Sequence, residues 1–154
     1  MVRRDLIPAR SVARFSSMSA DGTRRFSVLV IEDDLDVQQA LAQTLTDEGY
    51  DVDCAEDGAA ALARLRASVE KPSVMILDLR MPRLDGFGFR KAQLASADTA
   101  DIPVVVVTAG GVAPNEMAAL GLAYVLQKPV DLEILLRVVR RLASGALAGQ
   151  RADA

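Results

Sequence analysis

Five polar residues stand where apolar runs stop, and their types together suit phosphoryl chemistry. Glu32 and Asp33 close the run Val28-Leu29-Val30-Ile31, and Asp78 closes Val74-Met75-Ile76-Leu77. Thr108 ends Val104-Val105-Val106-Val107, and Lys128 follows Tyr124-Val125-Leu126 directly ahead of Pro129. Taken alone, Asp78 is a nucleophile, a metal ligand, a helix cap or an ordinary strand-end carboxylate. Taken with the others it becomes more specific. Three carboxylates drawn together repel, and each raises the others' pKa unless a cation sits among them. A hard divalent ion with oxygen ligands answers that need. Mg²⁺ suits it best, because it keeps several waters and takes one or two protein carboxylates plus a phosphate; Mn²⁺ is the alternative ion. The Thr108 hydroxyl and the Lys128 ammonium suit the equatorial oxygens of a transferring phosphoryl group, where positioning and charge neutralisation supply nearly all the catalysis. Asp78, central to all of them, is then the candidate acceptor that forms an aspartyl phosphate. The chain has 0 histidines, which removes His-based acid/base chemistry, His metal ligands and phosphohistidine from this chain itself.

These residues share a pocket only if the right elements carry them. Uninterrupted apolar runs such as Val74 to Leu77 are what strands buried on both faces need, and such strands belong to parallel sheets covered by helices. After the first run, Asp34 is a good helix N-cap, Val37, Ala40, Leu41, Thr44 and Leu45 form one helical stripe, and Gly49 is a stop. Val52 and Cys54 alternate with Asp51 and Asp53, as on a short edge strand with one wet face. A second helix is expected over 59–69 with Leu62, Leu65 and Val69 inward. A third is expected over 87–95, weakened by Gly88 in its first turn. Pro114 opens a short fourth helix that Gly121 closes. Asp131 caps a last helix with Leu132, Leu135, Val138, Val139 and Leu142 on one side, and the chain frays from Gly145. Strand and helix alternate five times with no hairpin signal. That order specifies an α/β fold: a doubly wound, five-stranded parallel sheet of order 2-1-3-4-5 with helices on both faces, flavodoxin-like. In that order strands one and three are neighbours where the winding reverses, which brings Glu32, Asp33 and Asp78 to one edge.

Composition bounds the remaining choices. With 51% apolar and 25% charged residues, the chain can form a core of its own. A net charge of −3 gives no general reason to expect nucleic acid. The lone Cys54 forms no internal disulfide, and no apolar run approaches the ~20 residues that span a bilayer. A cytoplasmic protein with no membrane partner is the expectation. Residues 1–24 read as an Arg-rich, disordered N-terminal extension, with an organellar transit peptide or an upstream start before Met18 as alternatives. The domain is expected over 25–143, followed by a frayed tail over 144–154.

From about residue 26 to 142 the chain resembles a response-regulator receiver domain, the phospho-acceptor module of two-component signalling. The resemblance is carried by Glu32-Asp33 after the first strand, Asp78 in Leu-Asp-Leu-Arg-Met-Pro, Asp85-Gly86, Thr108-Ala109 and Lys128-Pro129, in that order and on the expected elements. It implies that Asp78 takes a phosphoryl group from a phosphohistidine on a histidine kinase or a His-containing phosphotransfer protein. It implies that Asp33, Asp78 and the backbone carbonyl of Arg80 hold Mg²⁺, with Glu32 acting largely through water. Lys128 would pair with the phosphate, Thr108 would swing onto it, and the Lys128-Pro129 bond would be cis. The family's aromatic switch position is held by Val125, while Tyr124, one residue earlier, faces the other way by strand alternation. Arg80 and Gly110, two beyond the acceptor and two beyond the threonine, flank the route of an attacking water and tune the lifetime of the phosphate.

The reading is a single-domain response regulator without a DNA-binding domain, signalling by partner contacts, with its downstream target and any dimerisation left open. It is a signalling module that promotes its own phosphotransfer and dephosphorylation, not an enzyme acting on other substrates. A receiver-like adaptor that works without phosphorylation is the alternative, kept by Val125. A flavodoxin-like small-molecule binder would want a phosphate-binding loop where Glu32-Asp33-Asp34 stands. A haloacid-dehalogenase-type phosphatase would want a second aspartate where Arg80 stands.

Overall fold

The structure, a computed structural model, describes residues 20–152, with side chains through Gly145. Five strands, β1 (Ser27–Ile31), β2 (Asp51–Ala55), β3 (Val74–Leu77), β4 (Val104–Thr108) and β5 (Tyr124–Gln127), form one parallel sheet in the order β2-β1-β3-β4-β5. Five helices alternate with them: α1 (Leu35–Asp47), α2 (Gly58–Ala67), α3 (Gly86–Ala95), α4 (Pro114–Ala119) and α5 (Leu132–Ala152). The expected topology is the observed one.

The reason lies in the burial of the runs. Every residue of β1, β3 and β4 is buried, whereas β2 and β5 at the edges are mostly half-buried. Each aliphatic side chain taken fully out of water contributes about 1.5–3 kcal/mol, so the most continuous apolar runs take the centre. Alternate residues of each strand feed opposite layers. Leu29, Ile31, Met75, Leu77, Val104 and Val106 pack towards α2, α3 and α4. Val28, Val30, Val74, Ile76, Val105 and Val107 pack towards α1 and α5.

Helix starts follow the expected chemistry. Asp34 accepts from the backbone N–H groups of Asp36 and Val37, and Asp131 accepts from those of Glu133 and Ile134. Gly49 and Gly121 sit at φ +92° and +58°, the left-handed conformation that ends a helix without a Cβ penalty.

Several expectations need correction. Val69 is 96% exposed, not inward, because α2 ends at Ala67. Buried Ser68 turns the chain out with its hydroxyl donating to the Arg64 carbonyl, and the Lys71 ammonium donates to the Leu65 and Ser68 carbonyls at the helix end. On α1, Ala40 is exposed and Gln38 is buried, since Gln38 finds carbonyl partners between the strands. On α5, Leu132 in the first turn is exposed, and the buried stripe is Leu135, Val139 and Ala143. That helix also runs past Gly145 to Ala152. α3 starts one residue early, at Gly86, because Asp85 caps it. Of the N-terminal extension, residues 1–19 lie outside the described residues. At 20–22 the chain turns, and Arg25 meets Asp51 on β2 at 3.7 Å.

Candidate functional site

The site is built where β1 and β3 end side by side. Ile31 pairs with Leu77, and the Asp78 N–H donates to the Ile31 carbonyl at 3.0 Å, so Glu32-Asp33 and Asp78 leave the sheet at the same level. Glu32, Asp33 and Asp78 each offer a carboxylate oxygen, and these oxygens lie within 4.8 Å of one another. Glu32 and Asp78 are buried and Asp33 is exposed, so the cluster is open to solvent on one side. From the other side comes Lys128. Its ammonium donates to Glu32 Oε2 at 2.9 Å and to Asp78 Oδ2 at 3.3 Å. The lysine is aimed by its backbone: its N–H donates to the Thr108 carbonyl at 2.9 Å, and the Lys128-Pro129 peptide is cis. Thr108 is itself buried at the end of β4.

Burial and charge leave their mark on Glu32 and Lys128. Burial pushes the Glu32 carboxyl up from 4.5 to about 7; the Asp78 charge adds to this and the Lys128 hydrogen bond opposes it. For Lys128, burial works against the ammonium, yet the hydrogen bond and charge of Glu32, with those of Asp78, outweigh it and hold its pKa above the ordinary value. A pocket with three carboxylates and one lysine is short of positive charge. Its all-oxygen donor set fits a small hard cation such as Mg²⁺.

The loop between β3 and α3 forms the floor. The Arg80 N–H donates to Asp78 Oδ1 at 3.1 Å, which fixes the Asp78 rotamer. An open cavity of about 580 Å³ leads in between this loop and the start of α4, lined by Asp33, Arg80, Pro82, Phe87 and Glu116 among others. The Arg80 guanidinium lies against the backbone of Gly110, in the space where a Cβ would stand, so these two positions meet. Val125 is not part of this pocket. It packs with Met117 and Leu122 in the layer of α2, α3 and α4, whereas Tyr124 packs in the layer of α1 and α5.

Two supporting roles, those of Gln38 and Gly86, are not legible in the sequence. Gln38 Nε2 donates to the carbonyls of Glu32 at 2.9 Å and Ala55 at 3.3 Å, holding the acidic loop against β2. Gly86 approaches the Asp78 backbone so closely that a Cβ there would stand 2.5 Å from the Asp78 carbonyl oxygen and from Leu79 Cα. A polar residue inside a helical stripe was the available signal for Gln38. Gly86 follows Asp85, which reads as a turn, and its close approach is a tertiary fact.

Residues 28–140 match the response regulator receiver domain family, a stretch that includes the five strands, apart from Ser27 at the start of β1, and every residue of the pocket. The chain belongs to that family. As a receiver domain it falls among the phosphoryl-accepting modules of two-component signalling. Response regulator MprA of Mycobacterium avium is 36% identical over 117 residues, which cover 75% of this chain and 50% of the relative. MprA of Mycobacterium tuberculosis matches at the same identity and over 49% of its length. The chain thus spans about half the length of these curated relatives. Among solved structures, chemotaxis response regulator CheY4 of Vibrio cholerae superposes with a TM-score of 0.69 at 32% identity, covering 77% of this chain and 98% of that one. A response regulator receiver protein from Pseudomonas putida gives a TM-score of 0.70 at 31% identity, covering 76% and 97%. No described helix is long and apolar enough to cross a membrane.

Proposed function

We propose that Asp78 is the phospho-acceptor of this receiver domain and that Asp33, Asp78 and the Arg80 backbone carbonyl hold a Mg²⁺ ion, with Glu32 acting through water. The observation that carries the reading is the approach of Glu32, Asp33 and Asp78 oxygens to within 4.8 Å of each other, with Lys128 Nζ on their far side. When bound, the ion neutralises charge on the equatorial oxygens of the incoming group. One Asp78 oxygen attacks phosphorus while the bond from phosphorus to the donor's nitrogen or oxygen breaks, and the electron pair leaves with the donor. Lys128, already charged and aimed by its bond to the Thr108 carbonyl, moves from carboxylate to phosphate oxygen. The Thr108 hydroxyl donates to a second one. With 0 histidines in the chain, the phosphohistidine donor belongs to a partner, a histidine kinase or a His-containing phosphotransfer protein, in the cytoplasm.

Arg80 and Gly110 belong to the same proposal as the pair that sets how long the phosphate lasts; what supports it is that the Arg80 guanidinium lies against the Gly110 backbone. Reading the unit as a single-domain regulator that signals through protein contacts is also part of it. The mycobacterial relatives, matched over about half their length, are the counter-example. The size of the native polypeptide on an immunoblot distinguishes the two arrangements.

The test is labelling by acetyl phosphate with Mg²⁺. Asp78→Asn should abolish it, and labelling of that variant at the wild-type rate would sink the assignment. Phosphorylation-independent adaptor function is the second reading, favoured by Val125 at the switch position with Tyr124 in the opposite layer. An adaptor shows no change in amide shifts around Asp78 on adding beryllofluoride and Mg²⁺, whereas a phospho-acceptor does.

A further inference from the structure

The loop that carries the Arg80 carbonyl contains a residue in an unfavourable conformation. Arg83 has φ +63°, the only non-glycine at positive φ among the described residues. A side chain in the left-handed region costs energy, and such a residue persists where its surroundings over-determine it. Here the surroundings are the corner between β2 and α2. Arg83 Nε meets Asp57 Oδ2 at 3.0 Å, and its Nη2 stands 3.9 Å from Glu56 Oε1. Asp57 is a buried carboxylate with both oxygens committed: Oδ1 accepts from the Ala60 N–H at 2.8 Å as the N-cap of α2, and Oδ2 faces Arg83. One residue further on, the Gly58 N–H donates to the Leu84 carbonyl at 3.0 Å, and a Cβ on Gly58 would stand 2.7 Å from that oxygen. The β3–α3 loop is therefore tied at its apex to α2 as well as at its root to Asp78.

We infer that Asp57 and Arg83 are positioning residues for the metal site: their ion pair fixes the loop that presents the Arg80 carbonyl, and so sets Mg²⁺ affinity without either side chain touching the ion. This rests on the site reading proposed above. Arg83 is 70% exposed, so the pair is a weak source of stability, and its value lies in where it holds the backbone. Outer partners of metal ligands alter affinity by about 10–100-fold, and a partner acting through three residues of backbone should give about 3–10-fold.

The experiment is Mg²⁺ titration of the unphosphorylated full chain, followed by amide shifts, with thermal unfolding measured on the same samples. Arg83→Ala removes the pair and keeps the backbone cost, whereas Arg83→Gly removes both. Both should weaken Mg²⁺ about 3–10-fold, while Arg83→Gly unfolds at a higher temperature than Arg83→Ala. Asp57→Asn keeps an oxygen for the cap and should weaken Mg²⁺ similarly, with little added when combined with Arg83→Ala. A dissociation constant for Arg83→Gly within twofold of wild type overturns the inference, as do losses that track unfolding temperature across the set. If the wild type itself shows no Mg²⁺ response, the site reading fails and takes this inference with it.

Discussion

Replacing Glu32 by glutamine tests the electrostatic account of the pocket. Burial and the Asp78 charge hold the Glu32 carboxyl at about 7 against an ordinary 4.5. Between these values the folded protein keeps a proton that the unfolded chain has released. The stability contributed by that difference is fully present below pH 4.5 and is lost as pH rises through 7. Lys128 does not disturb this window: with its pKa raised above 10.5, its contribution is fully present at lower pH and is lost only under more alkaline conditions. A displacement from 4.5 to about 7 is worth about 3 kcal/mol in total, of which about 2 kcal/mol falls between pH 5.5 and 8. Glu32→Gln keeps the shape and removes the titration. Relative to wild type, it should gain about 2 kcal/mol over that interval in metal-free buffer. Urea unfolding followed by far-ultraviolet circular dichroism with a chelator present measures it. Starting at pH 5.5 keeps the protein away from its pI of about 5.0. Saturating Mg²⁺ should flatten the wild-type curve, since a cation in the cluster favours the ionised acid. Parallel stability curves for the two proteins across the interval would refute the reasoning.

Two further substitutions test the scaffold. Gly86→Ala places a methyl group 2.5 Å from the Asp78 carbonyl oxygen and Leu79 Cα, which are backbone atoms that cannot rotate away. It should cost about 1–3 kcal/mol in urea unfolding and displace the β3–α3 loop, read as a loss of Mg²⁺-induced shifts. Arg90→Met keeps apolar volume but strands three acceptors that the buried guanidinium now serves: the Leu120 carbonyl at 2.9 Å, the Gly121 carbonyl at 3.4 Å and Gln93 Oε1 at 2.7 Å. It should cost about 2–3 kcal/mol and raise amide exchange at the end of α4, while leaving labelling by acetyl phosphate at the wild-type rate.

What the sequence displays is what local rules govern. Central strands are legible because four or five apolar residues in a row have one favourable place in an α/β sheet, and the site follows from which polar residue ends each run. Helix starts are legible through Asp34 and Asp131, whose side chains act on their own backbone. Helix ends and faces are less so. Val69 continues the i+4 pattern from Leu65, yet the helix stops two residues before it, because Ser68 and Lys71 supply groups that close the last turn. Gln38 breaks an apolar stripe by residue type, and only the closeness of the Glu32 and Ala55 carbonyls, from two strands, makes a buried amide favourable there. Arg83, Gly58 and Gly86 escape for the same reason. Each is specified by a partner more than five residues away or by backbone crowding.

The layers also bear on how a signal leaves the pocket. Thr108 and Val106 occupy alternate positions of β4 on one side of the sheet, facing the layer that contains Val125 and Met117. The nearest ring in β5, Tyr124, belongs with Val105 and Val107 in the other layer. If Thr108 turns onto a phosphate as proposed, the residue at position 125 on its side of the sheet is aliphatic and not aromatic. What joins that layer to α4 by directed bonds is Arg90, on α3, reaching the Leu120 and Gly121 carbonyls. Asp78 and the α4 end are thus held by separate polar contacts, the first by Lys128 and Arg80, the second by Arg90. Loss of one need not loosen the other, and Arg90→Met is the variant that separates them.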